Sequence, residues 1–314
     1  MVKIRVLFNF TGLLTALFIA ISCGQNSIDR NQLIPDQPWE KVTDGLNFPE
    51  GPAWDGDNTL YASNCYGGWI TRIIDGQVDT LTSRAMCDST WEKSNGLTVG
   101  SDGYLYACEF GKGSVVRFAR SGQAEVLISG CNGERFHRPN DLAFDARGNL
   151  YFTDPNTYNC ENPDGFVYQW IRKTRDVERV ADSISFPNGI AFSGNGRRLF
   201  ICESACSRIL RFKVDSRGNL TDREIFIELP GGDPDGIALD RRGNLYVAHF
   251  GSGMLYVISP RGKIIQELKT PGQKPTNVEF GGCDYKTLFL TEVETSSIYK
   301  IRGRIPGQKL QQFR

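Results

Sequence analysis

The sequence predicts an all-β fold, a six-bladed β-propeller with four-stranded blades that is closed by an N-terminal strand. The first observation is an internal repeat, because one phrase occurs six times in the 314 residues. The second is its spacing, since intervals of 45, 45, 48, 47 and 42 residues suit one four-stranded blade per repeat. The third is that no long amphipathic helix can be read between Trp39 and Arg314.

Each repeat has a polar residue, a short apolar strand, a turn rich in glycine, aspartate or asparagine, and a second strand with Leu-Tyr or Leu-Phe. The copies read EGPAWDGDNTLYASN, NGLTVGSDGYLYACE, NDLAFDARGNLYFTD, NGIAFSGNGRRLFICE, DGIALDRRGNLYVAH and NVEFGGCDYKTLFLTE. Segments such as GSVVRFA and QAEVLIS follow with the pattern of two further strands. For ring closure, PWEKVTDG resembles the fourth strands and is expected to complete the last blade. The tail GQKLQQFR is the competing candidate.

The first 22 residues differ from the rest of the chain. Lys3 and Arg5 precede an apolar run, Val6 to Ile21, that is short for a bilayer span of about 20 residues. It reads as a secretory signal, and the small or apolar residues before Cys23 resemble a bacterial lipoprotein signal. We expect a signal peptide at 1–22, a tether at 23–38 and the propeller at 39–314. A plain signal peptide and an uncleaved anchor are alternatives, and all three place the domain outside the cytoplasm.

The charge balance excludes one class of partner. The chain has 36 Lys and Arg against 36 Asp and Glu, and no basic run stands out. The electrostatic signature of a nucleic-acid binder is therefore absent, and a small or neutral partner is expected.

The repeats predict two rings of polar residues at one end of the channel. Adjacent strands of a hairpin are antiparallel, so the start of the first strand and the end of the second lie at the same edge. The inner ring is Glu50, Asn95, Asn140, Asn188, Asp235 and Asn277. The outer ring, 14 or 15 positions later in each copy, is Asn64, Glu109, Asp154, Glu203, His249 and Glu292.

The inner ring predicts a metal site. Carboxylates crowded into a partly buried site repel each other and need protonation or a cation. Calcium takes six to eight oxygen ligands, so Glu50 and Asp235 would neutralise it while Asn140 and Asn188 add amide oxygens. Another divalent cation remains an alternative, although zinc is disfavoured without a cysteine or histidine cluster. The competing interpretation is that Asn-Gly and Asp-Gly are ordinary turn formers.

With these residues in view, the chain resembles the gluconolactonase/regucalcin (senescence marker protein) family of six-bladed, calcium-dependent lactonases. The resemblance runs from about Phe48 to Ile301. The phrases RPNDLAFDARGNLYFTDP, FPNGIAFS, PDGIALD and PTNVEFGG are similar to the bacterial gluconolactonase branch. It implies that Glu50, Asn188 and Asp235 hold the metal, that Asn140 serves metal and substrate, and that Arg138 binds substrate.

The resemblance also implies a reaction, the hydrolysis of a sugar lactone whose carbonyl the metal polarises before water attacks it. Asp235 is our choice for the general base. His249 is a candidate substrate contact, and Asp154, Asn95 and Glu109 are expected to support the ligands from behind. A phosphotriesterase or arylesterase on the same scaffold, and a non-catalytic NHL-type binding propeller, are the competing functions. We expect a monomer that acts on a small lactone or ester and meets a membrane only through a lipid on Cys23.

Loops and cysteines give weaker signals. The segments from Ser83 to Ser94 and from Gly130 to Pro139 are long, with Trp91 and Phe136 as candidate pocket walls. Eight cysteines beyond Cys23 favour disulfides in an exported protein. Cys283 is expected to be unpaired, so at most three bridges can form, and their connectivity stays open.

Overall fold

The computed structural model describes residues 32–87 and 90–309, and these residues confirm the propeller. Twenty-four strands form six antiparallel four-stranded sheets. Two single-turn 3₁₀ helices occur in this part of the chain, Arg84–Met86 and Ser204–Cys206. Among the residues described, no helix has the length and apolar character needed to cross a bilayer. The predicted signal peptide and Cys23 lie outside the described residues.

The first strand of each blade packs against the first strands of its two neighbours, so these strands surround the channel. Blade 1 is β2 to β5 (Pro49–Trp54, Thr59–Asn64, Trp69–Ile74, Gln77–Ser83) and blade 2 is β6 to β9 (Ser94–Val99, Leu105–Glu109, Ser114–Phe118, Ala124–Ile128). Blade 3 is β10 to β13 (Leu142–Phe144, Leu150–Asp154, Gly165–Trp170, Val177–Ile184) and blade 4 is β14 to β17 (Pro187–Phe192, Arg198–Glu203, Arg208–Val214, Leu220–Glu228). Blade 5 is β18 to β21 (Asp233–Leu239, Leu245–Phe250, Met254–Ile258, Ile264–Lys269), and blade 6 is β22 to β24 (Pro275–Gly281, Thr287–Glu292, Ser297–Arg302) with β1 (Glu40–Thr43).

Ring closure follows the first of the two expected routes. Strand β1 pairs antiparallel with β24, Glu40 lying opposite Lys300, and the two side chains form an ion pair of 2.8 Å. The described part of the C-terminal segment, which ends at residue 309, does not supply a blade strand. Instead Gly307 bridges Asp240, and the backbone N–H of Gln308 donates to Leu239, which lays this segment across the far end of the channel.

Part of the predicted tether belongs to the folded domain. Ile34 is fully buried in a cluster with side chains of blades 5 and 6. The backbone N–H of Ile34 donates to the Gln266 side-chain oxygen at 3.0 Å, and the Gln266 amide returns a bond to the Ile34 carbonyl at 2.6 Å. The start of the domain therefore lies before residue 39, because an apolar residue at position 34 docks on the rim.

The repeated Leu-Tyr strand has a packing role at three blade boundaries. Each of three tyrosines meets a phenylalanine of the next blade edge-to-face, with ring centroids about 5 Å apart: Tyr106 with Phe144, Tyr151 with Phe192, and Tyr246 with Phe280. Such pairs contribute roughly 0.5–1.5 kcal/mol beyond their buried area. The repeat therefore also encodes the contacts that hold neighbouring blades together.

Candidate active site

Five members of the predicted inner ring line one cavity of about 230 Å³ at one end of the channel: Glu50, Asn95, Asn140, Asn188 and Asp235. Four of them lie at the start of the first strand of their blade, and Asn140 lies just before β10. Because these strands converge on the axis, residues far apart in sequence share this space.

A glycine after the ring residue is required by close approach between blades. A Cβ added to Gly51 would lie 2.6 Å from the Asn95 carbonyl oxygen, and one added to Gly189 would lie 2.2 Å from that of Asp235. Both glycines sit inside strands, β2 and β14. The interpretation of Asn188-Gly189 as a turn former is therefore wrong, since the glycine lies within a strand and lets one inner strand approach the next.

The sixth inner position is Thr276 rather than Asn277. Pro275 pairs with Glu292 as Pro49 pairs with Asn64, so the residue after each proline is equivalent. The Thr276 hydroxyl donates to the Pro49 carbonyl at 2.8 Å, which closes the ring between blades 6 and 1. Aligning the repeats on the preceding proline, rather than on asparagine, would have given this assignment.

The two ring carboxylates are buried without a cationic partner. Glu50 is 3% exposed and Asp235 is 8% exposed, and neither forms an ion pair with a described basic side chain. Burial, together with the charge of Asp141, raises the pKa of Glu50 to about 8. Burial, followed by the charge of Glu50, raises the pKa of Asp235 well above its usual range. A cation between them would remove this penalty.

The donor set fits a hard divalent cation. Glu50 and Asp235 supply carboxylate oxygens, and the neighbouring asparagines supply neutral amide oxygens, which calcium accepts. The neighbouring Asn188 side chain partly offsets the rise in the pKa of Asp235. In residues 32–87 and 90–309 there is no group of three or more His, Cys, Asp or Glu side chains arranged for a metal. A cation here would thus depend on two carboxylates and on amides, and a zinc-type site does not fit.

The outer ring holds backbone rather than ligand side chains. In five blades its side-chain oxygen accepts a backbone N–H from the segment before the inner residue: Asn64 from Asn47, Glu109 from Lys93, Asp154 from Arg138, Glu203 from Ser185, and Glu292 from Lys274, all within 2.7–2.9 Å. Asp154 and Glu109 therefore hold this backbone segment, and neither forms a hydrogen bond with the Asn140 or Asn95 side chain in the described residues. Asn95 itself lines the cavity.

The structure places His249 outside the cavity. It has no exposed surface, its Nδ1 lies 2.8 Å from the Ser252 hydroxyl, and its Nε2 has no hydrogen-bond partner among the described residues. Burial lowers the pKa of His249 to about 4. Its neighbour Phe250 lines the cavity instead, because successive residues of a strand point to opposite faces.

Arg138 lies at the cavity, as expected of a substrate contact. It is exposed, and its guanidinium donates to the Asn156 carbonyl and lies 6.0 Å from the centre of the Phe186 ring. Asp154 accepts the backbone N–H of Arg138 at 2.7 Å. This outer-ring residue therefore fixes the backbone position of Arg138.

The predicted aromatic walls are wrong. Trp91 is fully buried and packs edge-to-face on Phe118 in the blade core, and Phe136 is buried against Phe152. The rings that line the cavity are Phe48, Tyr66, Phe110, Tyr158, Phe186 and Phe250. Several of them flank the inner or outer ring residues in sequence, and this adjacency was the signal available.

A disulfide joins Cys160 to Cys206, and six other cysteines of the described part are free, including the exposed Cys283. The bond links the loop between β11 and β12 to the 3₁₀ turn of blade 4. Tyr158 lies in that loop and donates its hydroxyl to Asp233 at 2.5 Å. The bridge therefore secures one wall of the cavity.

Comparison with known proteins identifies the family. A family model described as SMP-30/Gluconolactonase/LRE-like region matches residues 48–294. The chain belongs to the SMP-30/gluconolactonase/LRE-like family. Its similarity to "Lactonase drp35" of Staphylococcus haemolyticus is 29% identity over 90% of this chain and 91% of that protein. Diisopropyl-fluorophosphatase of Loligo vulgaris is 25% identical over 86% of this chain and 93% of its own. A solved gluconolactonase structure from Xanthomonas campestris aligns with a TM-score of 0.73 and 29% identity, covering 85% of this chain and 89% of that one.

The resemblance expected from the repeat phrases is thereby confirmed, and the SMP-30/gluconolactonase/LRE-like match contains all the ring residues. This family member also carries an acidic pair that the sequence reasoning missed. Asp141 and Glu279 line a second cavity of about 80 Å³ deeper in the channel, together with Asn277. Burial raises the pKa of Asp141 to about 7 and that of Glu279 to about 8. Their sequence signal was a carboxylate where other repeats have glycine or an apolar residue.

Proposed function

We propose that the protein is a calcium-dependent hydrolase that opens lactones. The observation that carries this proposal is the pair of buried carboxylates, Glu50 and Asp235, which have no cationic partner among the described residues and line a cavity with three amide side chains. A purely structural propeller gains nothing from this arrangement, because like charges at a shared buried site destabilise the fold. The relatives named lactonase and gluconolactonase support the same reaction.

Glu50, Asn140, Asn188 and Asp235 would hold the cation. When bound there, it supplies Lewis-acid chemistry by polarising an ester carbonyl and stabilising the negative charge that develops on its oxygen. Asp235 would accept a proton from the attacking water at its carboxylate. Asn188 lines the same cavity and would stabilise the charged form of that carboxylate.

Arg138 would orient the substrate. Its guanidinium stands at the cavity, and its donor fork suits an ester or carboxylate oxygen. Because Asp154 fixes the backbone of Arg138, we expect Asp154 to act on turnover through this arginine.

Hydrolysis of a phosphoester is the second candidate. The similarity to diisopropyl-fluorophosphatase favours it, since the same ring would stabilise negative charge on a phosphoryl oxygen. Family membership favours either hydrolase over a non-catalytic NHL-type propeller.

We also propose that the domain works outside the cytoplasm, anchored by a lipid on Cys23, and that it is a monomer. The basic start and apolar run before Cys23 support export, and a disulfide suits an oxidising compartment. Expression of the full chain and of Cys23→Ser in a bacterial host tests the anchor. Membrane association that survives the substitution would argue against lipidation at this residue.

The function is tested with calcium-stripped protein assayed on a panel of lactones and one phosphotriester, followed by calcium add-back. We expect activity to disappear on stripping and to return with calcium. Glu50→Gln and Asp235→Asn should lose calcium binding in calorimetry, whereas Glu279→Gln, at a half-buried acid of the second cavity, serves as the matched control and should keep it. Turnover that is unaffected by chelation would refute the metal mechanism.

A further inference from the structure

The mouth of the candidate active site is walled by aromatic rings. They are Phe48, Tyr66, Phe110, Tyr158, Phe186 and Phe250. Two of them, Tyr66 and Tyr158, keep 55% and 54% of their surface exposed. Large apolar surface left open and clustered at one pocket indicates a ligand that covers it.

Four of these rings form two similar pairs. Phe48 meets Tyr66 edge-to-face with centroids 4.9 Å apart, and Phe186 meets Tyr158 in the same way at 5.2 Å. Phe48 belongs to blade 1 and Phe186 to blade 4, which lie opposite each other because the blades contact one another in chain order around the ring. The mouth therefore has an aromatic pair on each of two opposite sides.

The backbone is strained where it presents these rings. Phe48 has φ +56° and Phe186 has φ +55°, a left-handed conformation that is unfavourable for bulky residues. The carbonyl of each phenylalanine accepts a backbone N–H: Phe48 from Cys65 at 3.1 Å and Phe186 from Ser204 at 3.2 Å. The same strained geometry thus appears at equivalent positions of two blades, two residues before Glu50 and Asn188.

Three polar groups beside the aromatic rings already have a hydrogen-bond partner within the protein. The Ser204 hydroxyl donates to the Pro234 carbonyl at 2.7 Å, Asp233 accepts from the Tyr158 hydroxyl at 2.5 Å, and the Arg138 guanidinium donates to Asn156. A ligand with several hydroxyls would have to desolvate them against carbon surfaces, which is unfavourable for each hydroxyl left unpaired.

We infer that the substrate is a lactone carrying an aromatic or alkyl substituent, which lies between the two Phe–Tyr pairs, rather than a polyhydroxylated sugar lactone. The inference rests on the proposed lactone hydrolysis and replaces the sugar-lactone expectation. The cyclic ester lies toward the Glu50 and Asp235 end of the cavity. The substituent fills the mouth, where burial of one phenyl group favours binding by at least about tenfold.

The test compares two six-membered lactones, δ-phenyl-δ-valerolactone and D-glucono-1,5-lactone, in a pH-stat with calcium present and the uncatalysed rate subtracted. We expect kcat/KM for the phenyl lactone to exceed that for the sugar lactone by at least about tenfold. Tyr66→Ala should lower the value for the phenyl lactone about three- to tenfold and lower the value for the sugar lactone by less. Tyr104→Ala is the matched control. Tyr66 has a cation over its ring, Lys93 at 5.8 Å, and so does Tyr104, Arg117 at 4.6 Å, but Tyr104 lies outside the cavity and its replacement should change neither value.

Binding of unreactive lactams, 6-phenyl-piperidin-2-one and gluconolactam, separates this inference from the proposed reaction. Suppose that turnover depends on calcium but kcat/KM for the sugar lactone equals or exceeds that for the phenyl lactone. The inferred substrate class would then be wrong, while the proposed lactone hydrolysis would still hold. A different result is that no lactone is turned over, the phenyl lactam binds more tightly than gluconolactam, and Tyr66→Ala weakens binding of the phenyl lactam. That result would support the preference for an aromatic substituent and refute the proposed lactone hydrolysis. If the two lactams bind alike, the inference is refuted whatever the activity.

Discussion

A buried histidine should make the fold sensitive to acid, and His249→Gln should remove that sensitivity. His249 is fully buried, its Nε2 meets no hydrogen-bond partner in the described residues, and burial lowers its pKa from 6.5 to about 4. The unfolded chain takes up a proton near pH 6.5, whereas the folded chain resists protonation until about pH 4. Stability is therefore complete above pH 6.5 and falls as the pH drops toward 4.

The size of the effect follows from the two pKa values. With 6.5 unfolded and about 4 folded, the loss relative to pH 8 is about 2 kcal/mol at pH 5 and about 3 kcal/mol at pH 4. Below pH 4 both states are protonated, so the loss no longer grows. Glutamine does not titrate, so the substituted protein lacks this contribution, while the carboxylates elsewhere affect both proteins alike.

The assay is urea unfolding of the wild type and His249→Gln at pH 8, 7, 6, 5 and 4, at one calcium concentration. The difference in unfolding free energy between the two proteins should move in favour of the variant by about 2 kcal/mol between pH 8 and 5. Lactone KM at pH 8 should change little, because the structure places His249 behind the wall. A difference that is constant across this pH range would refute a buried neutral imidazole, and a large rise in KM would restore the substrate role expected from the sequence.

Three further outcomes are expected. Glu50→Gln should raise the melting temperature of the calcium-free protein by a few degrees, since it removes one of two buried like charges. It should also abolish the rise in melting temperature that calcium causes in the wild type. A calcium-free variant that melts at a lower temperature than the wild type would contradict repulsion between Glu50 and Asp235. Cys160→Ser should raise KM for a lactone severalfold with little change in kcat, because it releases the loop that carries Tyr158, and an equal fall in kcat would place the loop in the chemistry instead. Gly189→Ala should cost about 2 kcal/mol or more in urea unfolding, since its Cβ would lie 2.2 Å from the Asp235 carbonyl oxygen, whereas Gly130→Ala, facing a loop carbonyl at 2.3 Å, should cost less because a loop can shift.

The blade architecture could be predicted from the sequence because the propeller repeats one local pattern. Alternation and turn residues define each hairpin, and the Leu-Tyr strand recurs since its ring fills the same gap between blades. The inner ring followed from that register. The predicted ring was wrong at its sixth position, which is Thr276 rather than Asn277. The sixth repeat had been aligned on its asparagine instead of on the proline that marks the start of the strand.

The walls of the site could not be predicted because they depend on how separate blades converge. Trp91 lies in a long loop, which suggested that it could line the cavity, but its side chain packs against Phe118 in the hydrophobic core. Phe48 and Phe186 were part of the repeat phrase, and both line the cavity from a left-handed backbone conformation. Such a conformation is disfavoured for phenylalanine, so local preference alone points away from it. The pairing of Cys160 with Cys206 likewise depends on two loops meeting across a blade boundary.

The sixth blade combines the two ends of the domain, and this has a consequence for biosynthesis. Glu40 pairs with Lys300, so closing the toroid joins positions about 260 residues apart, with a loop-entropy cost of about 5 kcal/mol. In a nascent chain that has not yet reached β24, strand β1 has no neighbouring strand and the ring of blades is open. Completion of the ring must therefore wait until almost the whole polypeptide has left the ribosome.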